Sequence, residues 1–351
     1  MPYCGLQSDG IDMKHTNNFD FLRLFAAFMV LYSHQHALLG LSEPGLGNQF
    51  TLGSIGVGIF FAISGYLVMQ SWERDPHILR FAIKRFLRIW PGLFVATIIA
   101  AFVLGALVSR LSVADYFQHP STWRYLNNLR LKMSFELPGV FENNPYPNAV
   151  NGSIWTIPLE VRWYLYLLIG GVLTLMRRRW IVLASAILLS AHYFAVYDAE
   201  NNPDVAYSTE FGLYFCVGAL MWLYRDKWIM RRHTWAILAM LTGAQACFFG
   251  QTRLGLLLLI GPLVVIIGEA STAYLRRFGR FGDLSYGVYI YAFIVQQTLA
   301  SSFGYSLSFV AHLALTSVIT LVCAWLSWHL IEKRALLLKN GIPTFQRVAA
   351  L

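Results

Sequence analysis

The chain has 351 residues, of which 57% are hydrophobic and only 13% are charged, whereas about a quarter of the residues in a soluble domain are charged. This composition excludes a soluble globular domain and predicts an all-α polytopic integral membrane protein. The net charge of +9 would suggest nucleic-acid binding in a soluble chain, but here the basic residues gather at the ends of apolar runs and nucleic acid is excluded as a partner.

About ten runs in the chain are long and apolar enough to form spanning helices. Basic clusters follow the even-numbered runs, and roughly 20 of the 27 Lys and Arg fall on that side of the membrane. Because positive residues in short loops stay in the cytoplasm, both termini are predicted to be cytoplasmic. The predicted spans are residues 19–40, 52–72, 91–109, 153–176, 180–197, 208–224, 234–250, 254–272, 284–301 and 306–330.

Outside the spans, the sequence predicts little further chemistry. The four cysteines are scattered and form neither a disulfide framework nor a metal-binding spacing, so no metal is expected. The N-terminus lacks the signature of a cleaved signal peptide, and the first span is expected to remain in the mature protein. The stretch 110–152 is predicted to be a long external loop, which suits either sugar contact or a plain connection.

The first span, "FDFLRLFAAFMVLYSHQH", carries ionisable groups that are costly inside a membrane and therefore functional candidates. Arg23 and His34 are eleven residues apart, which is three turns plus about 20°, so they share one face at a separation of about 16 Å. Asp20 lies one turn before Arg23 on the same stripe, whereas His36 points to the opposite side. A charged gate with a proton-handling group deeper in the membrane fits this pattern; a hydrogen-bonded buried histidine and a snorkelling arginine are the alternatives.

The second span contains "GSIGVGIFFAISGYLV", whose small residues predict close helix packing, with Ser64 available to line a pocket. Before the third span, "HILRFAIKRFLRIWP" puts Arg85 and Arg88 on one helix face with Lys84 nearby. Arginine forks bind phosphate bidentately, so this cluster would suit a phosphorylated donor at the cytoplasmic interface. Basic helices at this position also occur simply as topology anchors.

The fourth span, "GSIWTIPLEVRWYLYLL", contains Glu160 about one turn from its outer end. A carboxylate there needs a partner, which we expect to be Arg162 or a histidine from another helix. A histidine oriented by a carboxylate is the usual general-base pair. A purely structural contact with Arg162 is the alternative, although residues two apart on a helix do not face each other.

Six segments occur in the order and spacing of one family: Arg23 and His34 with ten residues between them, "GVGIFFAISGYLV", "KRFLRIWP", "WTIPLE", "LSYGVYIYAFIVQQ" and "LIEKRA". In these segments the chain resembles the transmembrane acyltransferase family three, over residues 18–334. The resemblance implies a single membrane acyltransferase domain over residues 1–351, ending in a short cytoplasmic tail at 335–351. Members of this family move acetyl or other acyl groups from cytoplasmic acyl-CoA to sugar hydroxyls on the outer side of the bacterial inner membrane.

The resemblance also assigns roles to residues of this chain, and it has two departures. Many members have a histidine near the position of Ala292, so no second catalytic histidine is inferred, and no SGNH-type hydrolase domain follows, so the enzyme would acylate its acceptor directly. The chain looks most like the branch that acetylates O-antigen and other surface polysaccharides. The residues matched to the family's motifs are Arg23, His34, Arg85, Arg88, Trp155, Glu160, Ser285, Tyr286 and Tyr289.

The expected enzyme binds acetyl-CoA as its donor, with a surface glycan or lipid-linked oligosaccharide as acceptor and membrane lipids around it. The CoA phosphates would bind Arg85, Arg88 and Lys84, and the thioester would pass Arg23. His34 would serve as general base or transient acyl carrier, oriented by Glu160. A transporter or lipid-linked sugar flippase that uses His34 and Glu160 as a relay is the competing hypothesis. The expected substrate-binding residues are Trp155, Ser285, Tyr286, Tyr289, Asp20 and Ser64.

Overall fold

A computed structural model describes residues 17–46, 50–200 and 203–341, and within these ranges the chain forms ten long helices. Each of them lies at one of the ten predicted segments. A two-stranded antiparallel hairpin pairs Gly45–Leu46 with Phe50–Thr51 between the first two helices. The helices are α1 (Phe19–Leu38), α2 (Leu52–Arg74), α3 (Ile78–Val108), α4 (Ile157–Val172), α5 (Arg179–Glu200), α6 (Pro203–Leu223), α7 (Arg232–Phe248), α8 (Thr252–Glu269), α9 (Ser285–Phe303) and α10 (Phe309–Leu337).

Apolar residues dominate the helices, as expected for a protein whose solvent is lipid. In the described part of the chain, α2, α3, α8 and α10 are long and apolar enough to cross a membrane by length and composition. The prediction of a helical membrane protein is confirmed at this level. The crossing of all ten helices and the cytoplasmic side of both termini stay predictions. Of the predicted tail, residues 335–341 continue the last helix, and 342–351 lie outside the described residues.

The third helix begins earlier than the sequence indicated. The predicted span starts at residue 91, but α3 begins at Ile78 and continues through Pro91 to Val108, with a π-helical stretch at Ile99–Leu104. A proline inside a helix removes one hydrogen bond without necessarily ending the helix, and here the packing of both flanks retains helical geometry. Arg85 and Arg88 therefore belong to α3 itself rather than to a separate helix at the interface.

Helix α2 lies at the centre of the bundle, packed between α1 and α6. The glycine-rich pattern of its sequence has the predicted packing role. A Cβ atom on Gly65 would lie 2.0 Å from the carbonyl oxygen of Phe215 in α6, and one on Gly218 would lie 2.0 Å from the carbonyl oxygen of Ala62. The two backbones approach too closely for any side chain at either position.

The long connection after α3 is folded against the bundle. It contains two short helices, Val113–Gln118 and Pro120–Arg124, and its aromatic and aliphatic residues form a second core with α3 and α9. The amide of Gln297 in α9 donates to the carbonyls of Tyr146 (2.8 Å) and Ala149 (2.7 Å). The packing of this loop on α9 was not predicted, because a pattern of turns in the sequence does not show which helix a loop packs against.

Candidate active site

Helices α1, α2, α3, α4 and α9 surround a narrow cavity. Apolar side chains from α2 form part of its wall, and charged or hydroxyl-bearing side chains form the rest. Eight residues that the sequence analysis selected, from five different segments of the chain, meet here. They are Arg23, Ser64, Arg85, Arg88, Glu160, Ser285, Tyr286 and Tyr289.

At one end of the cavity, Asp283 joins two of the three arginines. Its Oδ2 accepts from Arg88 at 2.7 Å and from Arg23 at 3.3 Å. Its Oδ1 accepts from the backbone amide and the hydroxyl of Ser285 at the start of α9. Burial opposes ionisation, but the guanidiniums of Arg88 and Arg23 outweigh it and hold the pKa of Asp283 at about 2. The carboxylate is therefore ionised near neutral pH and clamps α1, α3 and α9 together.

Arg85 differs from Arg88, although the two lie one turn apart on α3. Its guanidinium is 5.7 Å from the ring centre of Tyr164 and 6.0 Å from that of Phe81. Its Nε is buried and finds no hydrogen-bond partner among the described residues. A buried donor without a partner costs free energy that an anionic ligand would recover. Of the two arginines, Arg85 is therefore the better suited to hold an incoming anion.

Glu160 forms the polar wall of the cavity with Ser64 and Tyr164. Its Oε1 accepts a hydrogen bond from the hydroxyl of Ser64 at 2.9 Å and another from the hydroxyl of Tyr164 one turn along α4. The partner expected from the sequence was Arg162 or a histidine, and the structure corrects this. Arg162 points away and donates to Ser208 in α6 at 3.1 Å, because residues two apart lie on different faces of α4.

Removing the hydroxyl of Tyr164 tests the importance of this wall. A hydrogen bond to a charged group contributes about 1.5–3 kcal/mol. We expect Tyr164→Phe to keep the ring packed beside Arg85 but to lower the rate of acyl transfer by about 10-fold or more. Acyl transfer by the purified variant would be compared with that of Tyr166→Phe, whose ring lies on the exposed side of the same helix. Equal rates in the two variants would contradict a role for the Tyr164 hydroxyl.

His34 lies beside the cavity rather than in its wall. Its Nδ1 is 3.4 Å from the hydroxyl of Ser153, and its ring meets that of Phe293 edge-on with 5.4 Å between the centres. Phe293 is one turn beyond Tyr289 on α9, and Ser153 is three residues before Thr156. The hydroxyls of Thr156 and Tyr289, both on the cavity wall, are hydrogen-bonded at 2.6 Å. The two residues of this hydrogen bond thus belong to the same two segments as the residues that contact His34.

The expected contact between Glu160 and His34 is not formed: among the described residues, no hydrogen bond or ion pair joins them. Each side chain has other partners: Glu160 binds Ser64 and Tyr164, and His34 contacts Ser153. His36, which the helical geometry directed elsewhere, packs on Tyr32 and on Phe309 of α10.

The hydroxyls of α9 divide into two kinds. Ser285 donates to Asp283, and Tyr286 donates to the carbonyl of Ile89 in α3 at 2.8 Å, so both hydroxyls already serve contacts between helices. The hydroxyl of Tyr289 is hydrogen-bonded to that of Thr156, and either of the two hydroxyls can be the donor. Of the three predicted oxyanion donors, Tyr289 is the one that an exchange of hydrogen bonds would free most easily.

Besides His34, three predicted site residues do not line the cavity. Lys84 binds Asp75 at 2.8 Å, and Arg80 binds the same carboxylate. Arg80 and Lys84 hold the pKa of Asp75 at about 2 despite its partial burial. Asp20 lies 3.9 Å from Arg23, one turn away on α1, as their spacing predicted. Trp155 packs on Tyr207 and Phe211 of α6 and faces a different cavity.

Asp283, Tyr164 and Thr156 were not among the residues predicted from the sequence. A signal existed for Asp283, which is the single carboxylate in the arginine-rich segment "RRFGRFGDLSYG" and directly precedes a motif. Tyr164 follows Glu160 by four residues and so shares its helix face. Nothing in the sequence distinguishes Thr156 from the other small polar residues, because its role depends on where Tyr289 lies in another helix.

Comparison with known proteins agrees with this arrangement. The acyltransferase domain family matches residues 16–329 of the chain. An O-acetyl transferase of Shigella phage Sf6 is 31% identical over 92% of this chain and 97% of its own. Nodulation protein 10 of Rhizobium leguminosarum bv. viciae is 32% identical over 93% of this chain and 95% of its own.

More distant relatives are longer than this chain. A peptidoglycan O-acetyltransferase of Listeria monocytogenes is 25% identical over 68% of this chain, which corresponds to 44% of the Listeria protein. No solved structure matches the chain. The family match extends over most of the chain and includes every helix that lines the cavity, so this protein is a membrane acyltransferase of the acyltransferase family three.

Proposed function

We propose that this enzyme transfers an acetyl group from acetyl-CoA to a sugar hydroxyl of a cell-surface polysaccharide or lipid-linked glycan. The observation that carries the proposal is the convergence of three arginines, Glu160 and Tyr289 on one cavity. Tyr289 shares α9 with Phe293, and Phe293 contacts His34. Two relatives named as O-acetyl transferases support the acetyl group and the oxygen acceptor. The transporter hypothesis loses its support, because the chain belongs to an enzyme family.

The donor would enter from the side of the arginines. Arg85 has a buried Nε without a partner, so it is the first candidate for the CoA phosphates, and Arg88 and Arg23 contribute positive charge while Asp283 holds them in place. The thioester arm would extend past Glu160 and Ser64 towards Tyr289. The hydrogen bond between Tyr289 and Thr156 would have to open before the acyl carbonyl could reach His34.

In the proposed reaction, His34 removes the proton from the sugar hydroxyl as that oxygen attacks the thioester carbonyl. The tetrahedral oxyanion would accept a hydrogen bond from Tyr289. Collapse of this intermediate breaks the carbon–sulfur bond, and the imidazolium returns its proton to the departing CoA thiolate. In the covalent variant, the imidazole nitrogen attacks the thioester first, the carbon–sulfur bond breaks, and the CoA thiolate leaves with the imidazole proton. The sugar hydroxyl then attacks the acyl-imidazole, the carbon–nitrogen bond breaks, and the imidazole takes the hydroxyl proton. Ser153 holds Nδ1 of His34 in either case.

The same proposal includes the membrane arrangement. All ten helices would cross the bacterial inner membrane with both termini in the cytoplasm, so that Arg85 faces the CoA pool and His34 lies deeper. The rise along α1 from Arg23 to His34 is about 16 Å, roughly half the hydrocarbon thickness. A donor from one side and an acceptor from the other would then meet near His34.

Protection against thermal unfolding tests donor binding directly, because a ligand that binds only the folded protein stabilises it. We expect CoA and acetyl-CoA to raise the Tm of the purified enzyme. Arg85→Gln should weaken CoA binding by about 10-fold or more, since a charge-assisted hydrogen bond contributes about 1.5–3 kcal/mol. Lys84→Gln is the matched control, because Lys84 is adjacent in sequence but binds Asp75. Equal CoA affinity in both variants would contradict the proposed donor site.

The acceptor requires an experiment in cells. Deleting the gene and comparing the acetyl signals of surface polysaccharide by NMR would identify the modified sugar. Unchanged acetylation would redirect the search towards other glycans.

A further inference from the structure

A second polar-to-apolar path lies between α4, α5 and α6, away from the arginine cavity. One cavity, its polar part, is lined by Trp155, Arg162, Ser208 and Thr209. A second cavity, its apolar part, is lined mostly by apolar residues. Trp163 and Tyr166 line both cavities, so the two share a wall and are called the groove below. Representative residues of the apolar part are Leu167, Ile169, Leu173, Val182, Phe215 and Ala219.

The dimensions and chemistry of the groove match one lipid chain with an anionic head. Arg162 to Leu173 is eleven residues of helix, which is about 16 Å, and this is close to the thickness of one leaflet. Arg162 lies at the polar end. Its hydrogen bond to Ser208 uses one of the five N–H donors of a guanidinium. Within the described ranges Arg162 makes no ion pair, so this exposed cation is available to a phosphate.

The polar end of the groove is also adjacent to the proposed reaction centre. The short turn Gly152–Thr156 carries three side chains with different contacts. Ser153 is hydrogen-bonded to His34, Thr156 is hydrogen-bonded to Tyr289, and Trp155 faces the groove. A sugar held against the Trp155 ring would therefore lie beside the turn whose Ser153 contacts His34, the residue that is proposed to activate the sugar.

We propose that this groove binds the lipid carrier of the glycan acceptor, an isoprenoid phosphate, with the phosphate at Arg162, the chain in the apolar part and the first sugars near Trp155. A carrier with a single chain fits a groove between α4, α5 and α6, and its phosphate complements Arg162, the one cation among the described residues that line the polar part. This inference rests on the proposed function, because it assigns the acceptor of that reaction.

Binding of farnesyl phosphate to the purified full-length enzyme, measured by native mass spectrometry, tests the assignment. We expect farnesyl phosphate to bind at least 10-fold more tightly than farnesol or phosphatidylglycerol. Arg162→Gln should reduce this binding by about 10-fold or more, since it removes a charge-assisted contact. Ser185→Trp, an exposed position that lines the apolar part, should abolish it by filling the groove, whereas Leu183→Trp on the same helix should not.

Three results would overturn the proposal: equal binding of phosphatidylglycerol, unchanged affinity in Arg162→Gln, or equal affinity in Ser185→Trp and Leu183→Trp. CoA protection is measured on the same samples and separates this proposal from the proposed function. If CoA protects every variant but farnesyl phosphate does not bind, the groove assignment alone fails. If farnesyl phosphate binds and CoA protects none of them, the acyltransferase donor site fails instead.

Discussion

Replacing His34 with alanine is expected to reduce acetyl transfer by at least about 10²-fold while leaving the protein folded and inserted in the membrane. General acid–base catalysis contributes about 10²–10⁴-fold, and a covalent acyl carrier would contribute at least as much. The fold should tolerate the change, because the ring makes one long hydrogen bond to Ser153 and one edge contact with Phe293. The measurement is transfer of labelled acetyl from acetyl-CoA to surface polysaccharide, with expression and Tm determined in parallel.

His36→Ala is a matched control for this experiment. The same residue type, two positions along the same helix, packs against Tyr32 and Phe309 and hydrogen-bonds the carbonyl of Tyr32 at 3.0 Å. It should lose some stability but retain most of the activity. Wild-type acetylation in His34→Ala, or an equal loss in both variants, would remove His34 from the mechanism.

The second large effect is expected at Asp283. Removing one partner of a buried ion pair costs about 3–5 kcal/mol, and Asp283→Ala leaves both Arg88 and Arg23 without their shared carboxylate. A marked fall in Tm should result. Acetyl-CoA should raise the Tm of this variant by more than it raises that of the wild type, because its phosphates can neutralise the released guanidiniums.

A surface pair provides the comparison for Asp283. Asp226 binds Arg179 at 2.6 Å, but both side chains are about half exposed, so Asp226→Ala should cost no more than about 1 kcal/mol. Equal Tm values for the two variants would contradict the clamp. Because the pKa of Asp283 is lowered, its contribution to stability is present above about pH 4 and is lost as the pH falls towards 2.

His34 does not line the arginine cavity, so the proposed reaction requires a side chain to move during turnover. The acyl carbonyl would have to cross the hydrogen bond between Tyr289 and Thr156, and the ring of Phe60 lies edge-on to Tyr289 with 5.6 Å between centres. Rotation of one phenol side chain is a small movement compared with the shift of a helix. When the hydrogen bond between Tyr289 and Thr156 is closed, it would also keep water away from the thioester and so limit hydrolysis of the donor.

Local periodicity accounted for much of the fold. Apolar runs in the sequence indicated where the ten long helices of the described residues lie. Because a helix repeats every 3.6 residues, the eleven-residue spacing of Arg23 and His34 indicated a shared face. The glycines of α2 predicted close helix packing, and Gly65 and Gly218 lie at such a contact. The predicted start of the third span at residue 91 was too late, because α3 begins at Ile78 and continues through Pro91.

Pairings between distant segments were harder to predict, because they depend on how helices rotate about their axes. Ionisable groups are costly inside the membrane, so they were the first candidates, and eight of the predicted site residues, ionisable or hydroxyl-bearing, do line one cavity. Only the tertiary structure decided that Asp283 holds Arg88 and Arg23, that Ser64 and Tyr164 bind Glu160, and that His34 contacts Ser153 and Phe293. The sequence alone therefore determined the membrane class, the helices and the candidate residues, whereas the partners follow from contacts between helices up to about 260 residues apart, which no local pattern encodes.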